Sequence, residues 1–140
     1  MQYKPIRIMV EYVTDLMDLN PSDMQNLRTN VIPNTINWIG DRIQVNPVSG
    51  NLTFSPCLSV YTKGVNTGKC ASVELPYTCG PTDSNFNISE SYLSEITCSD
   101  PQQQDSCLQY PDGLGLPNTD LLLYIFVMNS GWYLLYRLID

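Results

Sequence analysis

Histidine is absent from the chain. It is the usual general base near neutral pH and the commonest zinc ligand. A Ser-His-Asp triad, a Cys-His dyad and every histidine-based zinc site are therefore excluded for these residues alone. Positive charge is scarce as well: seven Lys and Arg stand against fourteen Asp and Glu, a net charge of −7. A nucleic-acid binder needs a basic footprint to neutralise phosphates, and none exists. Charged residues make up only 15% of the chain and apolar ones 43%, the opposite of a disordered composition. No Cys-x-x-Cys occurs, which argues against thioredoxin-type redox chemistry and zinc ribbons. No Asp-x-Asp-x-Asp-Gly loop offers oxygen ligands to calcium. Met1-Gln2-Tyr3-Lys4-Pro5 leads into no apolar stretch ending at a small-residue cleavage site, so no signal peptide is read. Nor is there a confident transmembrane segment. A spanning helix needs about 20 mostly apolar residues; the richest stretch, 121–139, holds Asn129, Ser130 and Gly131 in its middle and Arg137 near its end.

What is present fits one domain or part of one. A chain of 140 residues buries roughly two-thirds of its unfolded surface, enough for one core. Its five cysteines, Cys57, Cys70, Cys79, Cys98 and Cys107, all lie in a polar middle stretch and none in the two apolar ends. That clustering suits disulfide staples in a loop-rich segment of an exported protein, and all five are disulfide candidates. The count is odd, so one cysteine is free, pairs with another molecule, or pairs with residues outside this sequence. Two N-x-[S/T] sequons, at Asn51 and Asn87, are glycosylation candidates of modest weight.

Ile6 to Val13 alternates well enough for a half-buried strand. Asn20-Pro21 offers a helix cap followed by Pro at the first helical position, and Ser22-x-x-Gln25 a weaker capping box. Met24, Leu27 and Val31 follow at helical spacing. Pro33 removes a backbone donor and must kink or restart the helix. Ile32, Ile36, Ile39 and Ile43 continue one apolar stripe, expected to be core against a sheet or second helix. Pro47-Val48-Ser49-Gly50 is a turn, and Asn51 to Phe54 a short strand expected to form a hairpin with Ile43 to Val45. Ser55 to Leu116 supports short strands and turns, with Ser99 to Ser106 a solvated loop. Leu121 to Val127 is a strand buried on both faces or a buried helix; with the tail it reads as strand, turn, strand.

The carboxylates Glu90, Glu95, Asp100, Asp105 and Asp112 crowd the second half. Paired carboxylates run glycoside hydrolysis without histidine, but these sit in polar stretches without an apolar pocket pattern and read as solvated surface. Asp120, ahead of the apolar strand, is expected to cap a turn or edge through its side-chain oxygens. Tyr110, Tyr124, Trp132, Tyr133 and Tyr136 form an aromatic-rich end, expected in core and interface packing.

Taken in order, several stretches resemble the amino-terminal region of the leishmanolysin-like zinc metalloendopeptidases (peptidase family M8), in particular their ciliate branch. They are Ile6-Arg7-Ile8, Val31-Ile32-Pro33-Asn34-Thr35-Ile36 running on to Arg42-Ile43-Gln44-Val45, then Val48-Ser49-Gly50-Asn51-Leu52. A Cys-rich middle with Cys79-Gly80 follows, and last Gly115-Leu116-Pro117-Asn118-Thr119-Asp120 before Leu121-Leu122-Leu123-Tyr124-Ile125. The resemblance covers about residues 5 to 128. It implies an α+β fold: a kinked amphipathic helix packed on a small mixed β-sheet, with a disulfide-rich loop region, as the amino-terminal half of a metzincin-like fold. It also implies proteolysis and cell adhesion at a cell surface or outside the cell, with polypeptide substrates and zinc as cofactor in the full-length family. There a later His-Glu-x-x-His helix holds the zinc and acts on its bound water. The resemblance stops before that helix, so no catalytic and no metal-ligating residue is carried over. The chain is expected to bind no cofactor and to be inactive by itself. Residues 1–128 are assigned to the peptidase-like part. Residues 129–140 match nothing in it and are read as a divergent tail from truncation or frameshift. The alternative from another class is a small secreted disulfide-bonded binding or adhesion module without enzymatic activity.

Overall fold

A computed structural model of the chain describes residues 2–17, 19–80, 85–128 and 131–137, with side chains described outside 14–17, 128 and 131–137. Its strands are β1 (Lys4–Pro5), β2 (Ile8–Met17), β3 (Gln44–Val45), β4 (Cys57–Val60), β5 (Cys70–Val73), β6 (Thr78–Cys79), β7 (Phe86–Asn87), β8 (Ser94–Cys98), β9 (Cys107–Asp112), β10 (Leu121–Met128) and β11 (Gly131–Arg137). Its helices are α1 (Pro21–Asn26) and α2 (Ile32–Gly40), joined by a wide π turn over Leu27–Val31. The fold is α+β, as expected, and the chain divides into two compact units. The terminal unit comprises Met1–Gly50 with Asn118–Asp140, and the central unit is Asn51–Pro117.

In the terminal unit the three-stranded sheet has the order β11-β10-β2. It is mixed: β10 runs parallel to β2 and antiparallel to β11. Leu122 to Val127 are all buried. This resolves the apolar run as a central strand covered on both faces, for which continuous rather than alternating apolar sequence is required. The strand–turn–strand reading of the tail holds for β10 and β11; positions 129–130 and 138–140 lie outside the described residues.

The helix begins where its cap was expected. Asn20 Oδ1 accepts the Asp23 N–H at 2.9 Å, Asn20 Nδ2 donates to Asp23 Oδ2 at 2.8 Å, and Pro21 takes the first helical position. The capping pair is thus Asn20 with Asp23, not Ser22 with Gln25. The irregularity falls one turn before Pro33. The Ile32 N–H reaches back to the Leu27 carbonyl, a five-residue bond, and Pro33 stands just inside the restarted α2. Proline has no N–H to give to the turn before it, so the wide turn forms where an ordinary one would lose a bond.

Leu27, at this bend, is 1% exposed and packs with Ile125 and Val127, with Val10, Tyr12, Leu19 and Ile32 around them. A kinked helix on a small mixed sheet is therefore the architecture of this unit. The isoleucine stripe differs from the expectation of plain core. Ile32, Ile36 and Ile39 are half-buried, while Ile43 lies beyond the helix and is 45% exposed. The expected hairpin between Ile43–Val45 and Asn51–Phe54 is absent: β3 pairs with β1, whereas Leu52 and Phe54 form bridges to Leu116 and Leu93 in the central unit. Nearness in sequence was the signal for that hairpin, and pairing across 39 to 64 residues displaces it.

The central unit is a four-stranded sheet of order β4-β5-β8-β9, with a separate β6–β7 pair. Its buried apolar residues include Leu52, Phe54, Tyr77, Ile88, Leu93 and Leu116. The entering and leaving segments run side by side, because Leu52 and Leu116 exchange both backbone hydrogen bonds at 2.8 Å. Gly115 permits this approach: its φ is +76°, and a Cβ there would lie 2.5 Å from the Leu52 carbonyl oxygen.

Candidate functional site

Among the described residues of the terminal unit, the most densely bonded polar centre joins residues 113 apart in sequence. Arg7 Nη2 donates to Asp120 Oδ1 at 2.7 Å and Arg7 Nε to Asp120 Oδ2 at 2.9 Å, a two-pronged ion pair. The Arg7 backbone N–H gives a third bond to Oδ2 at 3.0 Å, and the Val48 N–H a fourth to Oδ1 at 2.7 Å. Arg7 returns the contact by donating to the Val48 carbonyl at 3.1 Å. The Asp120 side chain is only 4% exposed. The Arg7 guanidinium, followed by the Val48 and Arg7 N–H groups, holds its carboxyl well below the usual carboxylate range, against the opposing effect of burial. The same bonds push the Arg7 guanidinium further up. The expected capping role of Asp120 is borne out, and the ion pair adds what local sequence did not signal. One carboxylate fastens the start of β2, the turn before Gly50 and the start of β10. Every acceptor position is filled by a donor, which is how a buried charge is held at low cost.

Four cysteines pair within the central unit: Cys57 with Cys70, tying β4 to β5, and Cys98 with Cys107, tying β8 to β9. Cys79 carries a free thiol, half-buried on β6. Burial pushes that thiol up, opposed by the Gly80 N–H, so little of it is the reactive thiolate near neutral pH. Asn51 and Asn87 are both exposed; Asn51 Nδ2 donates to the Leu114 carbonyl at 2.7 Å.

Asn66 was not singled out by any motif, yet it is fully buried. Its Nδ2 donates to the Asp100 and Gln103 carbonyls at 2.7 and 2.8 Å, and its backbone N–H to the Pro101 carbonyl at 3.1 Å. It thereby fixes the 99–106 loop, and Lys69 Nζ donates to its Oδ1 at 3.3 Å. No local sequence signal distinguishes this asparagine from those in turns.

The clustered carboxylates are spread over separate elements. Glu90 opens a short 3₁₀ turn, and Glu95 on β8 accepts a hydrogen bond from the Ser55 hydroxyl. Asp100 Oδ1 accepts the Gln102 N–H at 2.7 Å, and Asp105 and Asp112 are exposed. Among the described residues no group of three or more His, Cys, Asp and Glu stands close enough to hold a metal ion. Histidine is missing and four cysteines are held in bridges, so these residues do not offer the histidine donors that the resemblance places in a later helix. Among the described residues no helix is long and apolar enough to cross a membrane.

A shallow apolar groove of about 350 Å³ lies on the central unit, lined by Ala71, Thr97, Ser106, Leu108 and Tyr110 among others. Compared with known proteins, the chain matches no protein-family model, no curated protein and no solved structure.

Proposed function

We propose that these residues are the amino-terminal scaffold of a leishmanolysin-like zinc metalloendopeptidase, acting at a cell surface or outside the cell and inactive by themselves. The observation that carries this reading is the Arg7–Asp120 ion pair. It fastens the first and last of the segments that bear the resemblance, Ile6-Arg7-Ile8 and the stretch from Gly115 to Ile125, and it bonds Val48 of a third. The helix with its internal proline packs on the same sheet. The parts of these segments within Met1–Gly50 and from Asn118 on thus meet in one unit, while Asn51-Leu52, the cysteine-rich middle and Gly115-Leu116-Pro117 belong to the other. The bridges suit an oxidising compartment.

In this reading peptide-bond hydrolysis belongs to residues outside these 140, which would supply the histidines and the glutamate. The terminal unit contributes a sheet and helix as one wall of the substrate cleft. The natural protein tests this: peptide mass spectrometry after immunoprecipitation with an antibody to residues 51–117 should recover a His-Glu-x-x-His peptide from the same polypeptide. A protein whose every peptide falls within residues 1–140 would contradict it.

A second reading, a secreted disulfide-bonded binding module without catalysis, is favoured by a separate observation. Both disulfides and a self-contained core lie within Asn51–Pro117. The same mass spectrometry separates the two, since a module of this kind needs no zinc-binding helix.

A further inference from the structure

We propose that the Cys98–Cys107 bridge is a thiol–disulfide exchange site worked by small-molecule thiols, while Cys57–Cys70 is a fixed staple. The two bridges meet opposite electrostatic surroundings. Cys57 Sγ lies 3.2 Å from the Ser59 carbonyl oxygen, and Cys70 Sγ 3.0 Å from that of Ser72. Carbonyl oxygens carry partial negative charge. They oppose an approaching thiolate and the negative charge that spreads over the sulfurs as a bridge opens. Cys107 Sγ instead lies 3.9 Å from the Lys69 ammonium, which favours both. Lys69 is held there by donating to Asn66 Oδ1 at 3.3 Å, and Asn66 is fully buried. That amide oxygen also lies 3.4 Å from Cys107 Sγ, but its partial charge is set against a full one. Access then selects the sulfur: Cys98 is 0% exposed and Cys107 half-buried, so attack falls on Cys107.

The exchange runs in two steps. A thiolate attacks Cys107 Sγ and forms a mixed disulfide as the Cys98–Cys107 bond breaks. The electron pair leaves on Cys98 Sγ, which takes a proton from solvent. A second thiolate attacks the outer sulfur of the mixed disulfide. A small-molecule disulfide departs, and Cys107 is released as a thiolate beside Lys69, where an ammonium stabilises it. The bridge gains two electrons and the two small thiols lose them. The surroundings do not depend on the bridge. Cys98 and Cys107 face each other in the β8–β9 register, and Asn66 bonds the Asp100, Pro101 and Gln103 carbonyls of the loop between them. The two sulfurs therefore stay opposed after opening, and an oxidised small-molecule disulfide closes the bridge by the reverse steps.

Timed reduction of the full chain by 2-mercaptoethanol tests this. Cys79 is first blocked with N-ethylmaleimide, and new thiols are then trapped with iodoacetamide and located by peptide mass spectrometry. Cys98 and Cys107 are expected to open before Cys57 and Cys70, with the transient mercaptoethanol adduct on Cys107. Lys69→Met should slow opening of Cys98–Cys107 roughly three- to tenfold and leave Cys57–Cys70 unchanged, as loss of a partly screened charge implies. Lys69→Arg should keep the faster opening. A purely structural role for Lys69 gives the opposite sign, because a loosened loop opens faster. Should Lys69→Met not fold, the order of opening and the place of the adduct in the unaltered chain decide alone. Simultaneous opening of both bridges, earlier opening of Cys57–Cys70, an adduct on Cys98, or an equal or faster rate in a folded Lys69→Met would overturn the proposal.

Discussion

The two units of this chain solve the same stability problem by different means. The terminal unit has no disulfide among its described residues. It relies on a strand buried on both faces, a leucine at a helix bend and one fully bonded ion pair. The central unit carries both bridges, spaced 13 and 9 residues apart in sequence, on a four-stranded sheet with large apolar side chains still exposed. Where a segment is polar and rich in turns, its core is small and covalent staples restrict the unfolded chain instead. Where apolar residues are continuous, long-range strand pairing is enough.

Breaking the bridges is the harshest way to probe that contrast. Loops of this size are each worth about 2–3 kcal/mol. Reduction should therefore unfold the central sheet first. Both tryptophans, Trp38 and Trp132, belong to the terminal unit. Reduction is thus expected to abolish the central unit's amide-exchange protection while tryptophan emission stays unchanged. A coincident loss of both would show that the units are not separately stabilised.

Leu27→Ala strikes the other side. Truncating a fully buried leucine costs about 2–5 kcal/mol, here in the terminal unit. Urea unfolding followed by tryptophan emission should show the loss while the bridged sheet keeps its exchange protection. Asp120→Asn should cost somewhat less, about 2–4 kcal/mol, because an amide group then faces donors that have lost their acceptor.

The same residue sets a pH dependence. A carboxyl whose folded pKa is depressed adds stability above its unfolded value, about 4, and this is lost as pH falls through the folded one. The terminal unit should therefore weaken only below about pH 4, and Asp120→Asn should flatten that decline. Urea midpoints measured between pH 2 and pH 6 check both statements. The smallest effect concerns the helix start: Asn20→Ala removes the cap on the Asp23 N–H and should cost about 1 kcal/mol.

Features set by neighbours in the chain were readable without coordinates. Asn20-Pro21 marks the helix start, Pro33 the interruption, and the run from Leu121 to Val127 the buried strand, because each depends on local backbone chemistry or local burial. Features set by distant partners were not. Nothing around Arg7 announces Asp120, since an Arg and an Asp 113 residues apart have no spacing rule. Five cysteines allow many pairings, and geometry alone selects Cys57 with Cys70 and Cys98 with Cys107. Asn66 looks like any turn asparagine until the 99–106 loop closes over it. The groove was hidden because Leu108 and Tyr110 acquire their neighbour Thr97 only when β8 and β9 pair.

That these residues are scaffold without a catalytic metal centre of their own is what we propose. It is met most directly by titrating the purified 140-residue chain with zinc while following cleavage of a generic peptide substrate, with and without a chelator. No stoichiometric tight binding and no chelator-sensitive hydrolysis are expected. One tightly held zinc per chain, with hydrolysis rising and falling with its occupancy, would contradict it.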